Sequence, residues 1–176
     1  MRRSEGGASR AGKSGTAAPG AKPQTTGAAF ALLRIFVGLM FLVSGMEKWS
    51  WIGAHHLAMA ATRIAESQRG TALQGFSNFL TQTVVPHHAL FTALIVLGEI
   101  VVGLLLTLGL FSRGAALYAL GLNLAYLLGY WQQGAQWQML NEAFLMLEVA
   151  FLMVGPGRTF GLDARLARKY PGSILW

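Results

Sequence analysis

Four stretches of this chain are apolar and nearly free of charge over the roughly twenty residues that a helix needs to cross a bilayer core of about 30 Å. They run over residues 28–46, 89–111, 114–131 and 135–155. Arg34 is the only charge in the first and Glu99 the only one in the second, while the third has none. The fourth carries Glu142 and Glu148 and is the least regular of the set, although Gly155-Pro156-Gly157 gives it a clear stop. The pattern predicts an all-α integral membrane protein, a four-helix bundle.

The connection between the first two spans, residues 52–86, is too polar to cross. It has apolar positions at Leu57, Ala61 and Ile64, then at Leu73, Phe76, Phe79 and Leu80. That spacing predicts one or two amphipathic helices lying on the bundle's outer face, with Pro86 opening the second span. Residues 1–27 hold no apolar side chain larger than alanine after Met1 and are expected to be a disordered basic tail. Residues 28–157 form the membrane domain and 158–176 a second tail. The first apolar stretch leads straight into Glu47-Lys48-Trp49 with no small-residue cleavage site, so it is expected to stay.

Charge placement orients the bundle. Ten of the 14 Lys and Arg fall in the N-terminal tail, the Ser112-Arg113 turn and the segment 158–169, which places both termini on the cytoplasmic side. Trp49, Trp51, Trp131 and Trp137 gather at the opposite ends of the spans, as interfacial anchors do. A net charge of +7 invites a nucleic-acid reading, but the basic residues sit in tails around apolar runs rather than on an aromatic-studded face. Anionic lipid heads are the better partner, and no nucleic acid is expected. With no cysteine, any redox role needs a bound cofactor or a partner.

Ionisable groups inside hydrocarbon are costly, so each should face the bundle with a partner or a task. By helical rise, Arg34 and Glu148 lie at matching depth and are expected to pair. Glu99 and Asn123 fall near mid-membrane as partners, and Glu142 lies at the level where Lys48 can reach back. Arg34, Gly38, Phe41, Gly45 and Lys48 share one stripe of the first span, whose two glycines allow another helix to approach closely. Asn141 and Glu148 share a face of the fourth span, with Glu142 turned away. Asn123, Tyr126 and Tyr130 line a face of the third. Such a polar core either locks helix register or binds a quinone head group by hydrogen bonds and relays its protons. On the second reading the catalytic candidates are Glu99, Arg34 and Glu148, and the cofactor-binding candidates are Asn123, Tyr126, Asn141, Glu142 and Lys48. The pairs His55-His56 and His87-His88 read as surface residues, and no metal site is assigned.

The run Leu33-Arg34-Ile35-Phe36-Val37-Gly38, continued by Phe41-Leu42-Val43-Ser44-Gly45-Met46-Glu47-Lys48, resembles the opening of DoxX-type membrane proteins, which include the DoxD subunit of thiosulfate:quinone oxidoreductase. Gly98-Glu99-Ile100-Val101-Val102-Gly103, Leu108-Gly109-Leu110-Phe111-Ser112-Arg113, Asn141 and Gly155-Pro156-Gly157-Arg158 with Gly161-Leu162-Asp163 are similar to later parts of the same pattern, so that residues 30–170 are covered. The resemblance implies quinone-linked redox chemistry, a second redox subunit or a homo-oligomer, and the bacterial cytoplasmic membrane. Electron transfer from thiosulfate to quinone is the leading expectation. A non-enzymatic anchor or assembly factor for a redox partner is the alternative, and a small transporter has less support.

Overall fold

The computed structural model describes residues 24–173. Seven α-helices follow one another: α1 Gln24–Glu47, α2 His56–Ser67, α3 Gln74–Phe79, α4 His88–Leu108, α5 Ser112–Tyr130, α6 Ala135–Val154 and α7 Asp163–Lys169. No strand occurs among the described residues. The expected disordered tail falls outside them as far as residue 23, and from Gln24 onward the chain is already helical.

The four long helices run alternately up and down. α1 packs along α4, α5 along α6, and α4 joins the two pairs, whereas α1 and α6 meet sparsely. The α1–α4 seam is tight because Gly38 and Gly103 face each other. A Cβ on Gly38 would lie 2.9 Å from the Gly103 carbonyl oxygen, and one on Gly103 2.8 Å from that of Gly38. The glycine stripe read from the sequence thus finds its partner in α4. Between the pairs, Val37, Phe41, Val102, Leu106, Ala115, Ala116, Ala119 and Phe151 close an apolar layer.

The stretch 26–51, α4 and α6 are each long and apolar enough to cross a membrane. As expected from the sequence, α6 passes this test; contrary to the expectation, α5 does not. Its 19 residues span about 28 Å, enough for the bilayer core, but Arg113, Asn123 and three tyrosines lower its hydropathy. The protein is an all-α membrane protein.

One end of the bundle, here the cap end, carries α2, α3 and a π-helical turn over Leu80–Val84. Their apolar faces form a second cluster around Ala61, Ala65, Leu80 and Val84, which is the expected amphipathic layer. Pro86 lies in the turn before α4 rather than inside it. Gln68 ties the cap to α5 by donating to the Leu128 carbonyl at 2.6 Å.

The opposite end, the base, is closed by residues expected to form a loose tail. Asp163 accepts hydrogen bonds from the backbone N–H groups of Phe111 (2.7 Å) and Ser112 (2.9 Å), supplying from 51 residues away the anion that the start of α5 lacks locally. The backbone closes the joint, with Leu162 donating to Leu108 O and Asp163 to Gly109 O. Phe111 (φ 48°) and Phe160 (φ 51°) take the left-handed conformation within this joint.

Candidate functional site

In the upper half of the bundle, between α1 and α6 where these helices diverge, lies a cavity of about 200 Å³. Ser44, Lys48, Glu99, Asn123, Tyr126, Tyr130 and Asn141 supply its polar wall. Met40, Phe41, Trp137, Leu140 and Phe144 supply the apolar wall. Met40, Trp137 and Leu140 are themselves exposed on the helix faces, so the cavity opens sideways toward the lipid.

Lys48 sits in the short turn Lys48–Trp51 that follows α1 and folds back into the bundle. Its ammonium lies 2.9 Å from both carboxylate oxygens of Glu99 and also donates to the Ser44 hydroxyl. It stands 5.6 Å from the centre of the Tyr126 ring, within cation–π range. The Tyr126 hydroxyl donates to Glu99 Oε1 at 2.6 Å. Glu99 is 1% exposed and Lys48 20%, so this is a buried ion pair with a phenol on the same carboxylate.

Beside it, Asn123 donates to Oε1 of Glu148, whose other oxygen is buried without a hydrogen-bond partner. Asn141 donates to the Trp137 carbonyl at 2.8 Å. Each of these two amides keeps a second N–H and a carbonyl oxygen for other partners. Lys48, Glu99, Asn123, Tyr126 and Asn141 therefore line one cavity, with Glu148 behind Asn123. The sequence reading missed Ser44, Tyr130 and Trp137 as wall residues, although Ser44 lies one turn before Lys48 and Tyr130 one turn beyond Tyr126.

The expected pairings are wrong. Glu148 is bonded to Asn123 rather than to Arg34, Glu99 to Lys48 and Tyr126 rather than to Asn123, and Glu142 is exposed outside the cavity. The reason is the lean of side chains toward the N-terminus of their own helix. α1 and α5 run toward the cap, so Arg34 and Asn123 lean toward the base. α4 and α6 run toward the base, so Glu99 and Glu148 lean toward the cap. Residues level at Cα thus part at their tips.

Arg34 belongs to the base. Fully buried, it donates to the Phe160 carbonyl at 3.3 Å, and Asp163 acts on it electrostatically. Side chains on Gly109 or Gly161 would strike its guanidinium. At the cap end, His55 Nδ1 and His88 Nε2 are 3.1 Å apart, linking the start of α2 to that of α4. Among the described residues, no three His, Asp or Glu side chains group as metal ligands. Arg63 and Arg69 are exposed on α2 and just beyond it, outside the cavity.

A sequence profile described as TQO small subunit DoxD matches residues 29–174 of the chain. No curated protein and no solved structure matches it.

Proposed function

The chain belongs to the DoxD family, and we propose that it is a subunit of a quinone-linked oxidoreductase that binds the quinone ring in the cavity between α1 and α6. The observation that carries this reading is the buried Lys48–Glu99–Tyr126 group on the wall of a lipid-facing cavity. Quinone supplies two-electron, two-proton chemistry, and such a site must offer donors to its carbonyl oxygens and hold protons nearby.

The residues present fit that task. The Lys48 ammonium and the Tyr126 hydroxyl are donors already gathered on one carboxylate. Glu99 can take a proton at Oε1 or Oε2 while remaining hydrogen-bonded, and the spare N–H groups of Asn123 and Asn141 are further donors across the cavity. Glu148, with its unpartnered Oε2 behind Asn123, extends the polar path away from the cavity. The apolar wall excludes water from this region, which strengthens each of these interactions.

Thiosulfate remains the proposed electron source. Among the cationic side chains of the cap end only Lys48 lines the cavity, so the oxidation of that dianion is assigned to a second subunit docked on the complex. Both termini are proposed to face the cytoplasm of a bacterial cell, which puts α2 and α3 on the outer side.

Quenching of tryptophan fluorescence by a soluble quinone, to which Trp137 in the cavity wall contributes, measured on protein extracted in mild detergent, tests the reading. Lys48→Met and Glu99→Gln should each weaken binding by at least about tenfold, the value of one or two charge-assisted hydrogen bonds. Arg34→Gln, at the base, should leave the affinity unchanged. Equal affinity in all four proteins, with no quinone detected by mass spectrometry after extraction, would favour the non-enzymatic anchor instead.

A further inference from the structure

A second cavity, of about 450 Å³, lies beneath the cap between α2, α3, α4 and α5. Its lining is almost wholly apolar, and among the described residues its only charged side chain is Lys48. It is large enough for a small-molecule ligand, for which sites usually measure ~300–1,000 Å³, whereas the polar cavity fits a ring rather than a long molecule. The two share a wall, since Lys48, Tyr126 and Tyr130 line both.

The empty space has a cause in the sequence of α5. Gly121, Ala125 and Gly129 recur every fourth residue and face the cavity. Small residues on a membrane helix normally admit a neighbour, as Gly38 and Gly103 do at the α1–α4 seam. At Gly121 nothing lies within 4 Å of where a Cβ would stand, so no neighbour has entered. Phe79, Leu94 and Leu117, each substantially exposed, border the cavity where it meets the lipid.

We propose that this apolar chamber holds the polyisoprenoid chain of the quinone whose ring lies in the polar cavity, with Lys48, Tyr126 and Tyr130 as the neck between them. The proposal rests on the quinone reading given above. Lipid is as apolar as the chamber, so the chain is drawn in by fit rather than by hydrophobicity, and the chamber's contribution is to select long-chain quinones and to fix the ring's orientation at Glu99. Filling it should displace the chain without disturbing the ring site.

The test uses the full-length protein in lipid nanodiscs and a benzoquinone bearing a ten-carbon chain with a diazirine near its end. Photolysis should attach the probe to peptides from 57–80 and 117–129, in competition with unlabelled decyl-quinone. The double variant Gly121→Leu/Ala125→Phe, which removes a helical glycine and places side chains in open space, should lose that crosslink while binding tetramethylbenzoquinone as the unmodified protein does. A competable crosslink confined to the lipid-facing sides of α1 and α6, or one unchanged in the double variant, overturns the chamber and leaves the quinone site standing. If neither quinone binds the unmodified protein, the quinone reading fails and the chamber falls with it.

Discussion

The Lys48–Glu99 pair places two charges at one point in a region where either alone is costly. Removing one partner of a buried pair costs about 3–5 kcal/mol, largely because the other is stranded. Lys48 retains some exposure, so Lys48→Met should sit near the lower end, about 3 kcal/mol, read as a lowered unfolding midpoint in detergent. Lys48→Met/Glu99→Leu should recover part of that loss, because nothing charged is left behind. A double variant less stable than Lys48→Met would contradict this account of the pair. Asp163 makes a separate case at the base. Its carboxylate holds the N–H groups of Phe111 and Ser112 beside a left-handed Phe111. Asp163→Ala should cost about 3 kcal/mol, the value of one or two hydrogen bonds to a charged group, and unchanged thermal stability would show that the joint is held by its backbone bonds alone.

At the scale of helices, what was legible in the sequence was local. The apolar runs located α1, α4, α5 and α6 within a few residues, Leu57, Ala61 and Ile64 announced α2, and the spacing of Asn123, Tyr126 and Tyr130 placed them on one face of α5, which the structure turns toward the cavity. What was not legible depends on direction and distance. Depth counted along each helix axis treats a side chain as a point at its Cα. Arg34 and Glu148, on antiparallel helices, therefore looked paired although their tips part. The role of residues 158–169 was hidden because the joint of Asp163 with Phe111 and Ser112 spans about fifty residues, and no local pattern announces such a contact. The cap shows the same limit, since its amphipathic spacing was visible and its tether was not. Gln68 is wholly buried and reaches Leu128 O across 60 residues. Gln68→Ala should leave the bundle's unfolding midpoint nearly unchanged while speeding amide exchange over 56–84, an opening eased by about 1–2 kcal/mol. Exchange unaltered there would mean that the Leu80 and Val84 cluster alone holds the cap down.

For the molecule as a whole, α5 decides the topology. It is the one long helix whose composition falls short of a membrane span, and yet it carries Asn123, Tyr126 and Tyr130 into the site and packs against both α4 and α6. A bundle with its polar residues turned inward can afford a span of modest hydropathy, because Asn123 and Tyr126 bond to Glu148 and Glu99 rather than facing lipid. If α5 crosses, the cap and the 131–134 turn share one side of the membrane, and residues 158–173 lie on the other. The absence of native cysteine makes this directly measurable. Arg69→Cys and Gln133→Cys, both exposed positions, should react with a membrane-impermeant maleimide in intact cells, and Gly172→Cys only after the membrane is permeabilised. Labelling of Arg69→Cys together with Gly172→Cys, with Gln133→Cys protected, would place α5 on a single side and dismantle the four-span bundle. Labelling of Gly172→Cys alone in intact cells would keep the bundle and reverse its orientation, moving the cap and the mouth of the apolar chamber to the inner half of the bilayer.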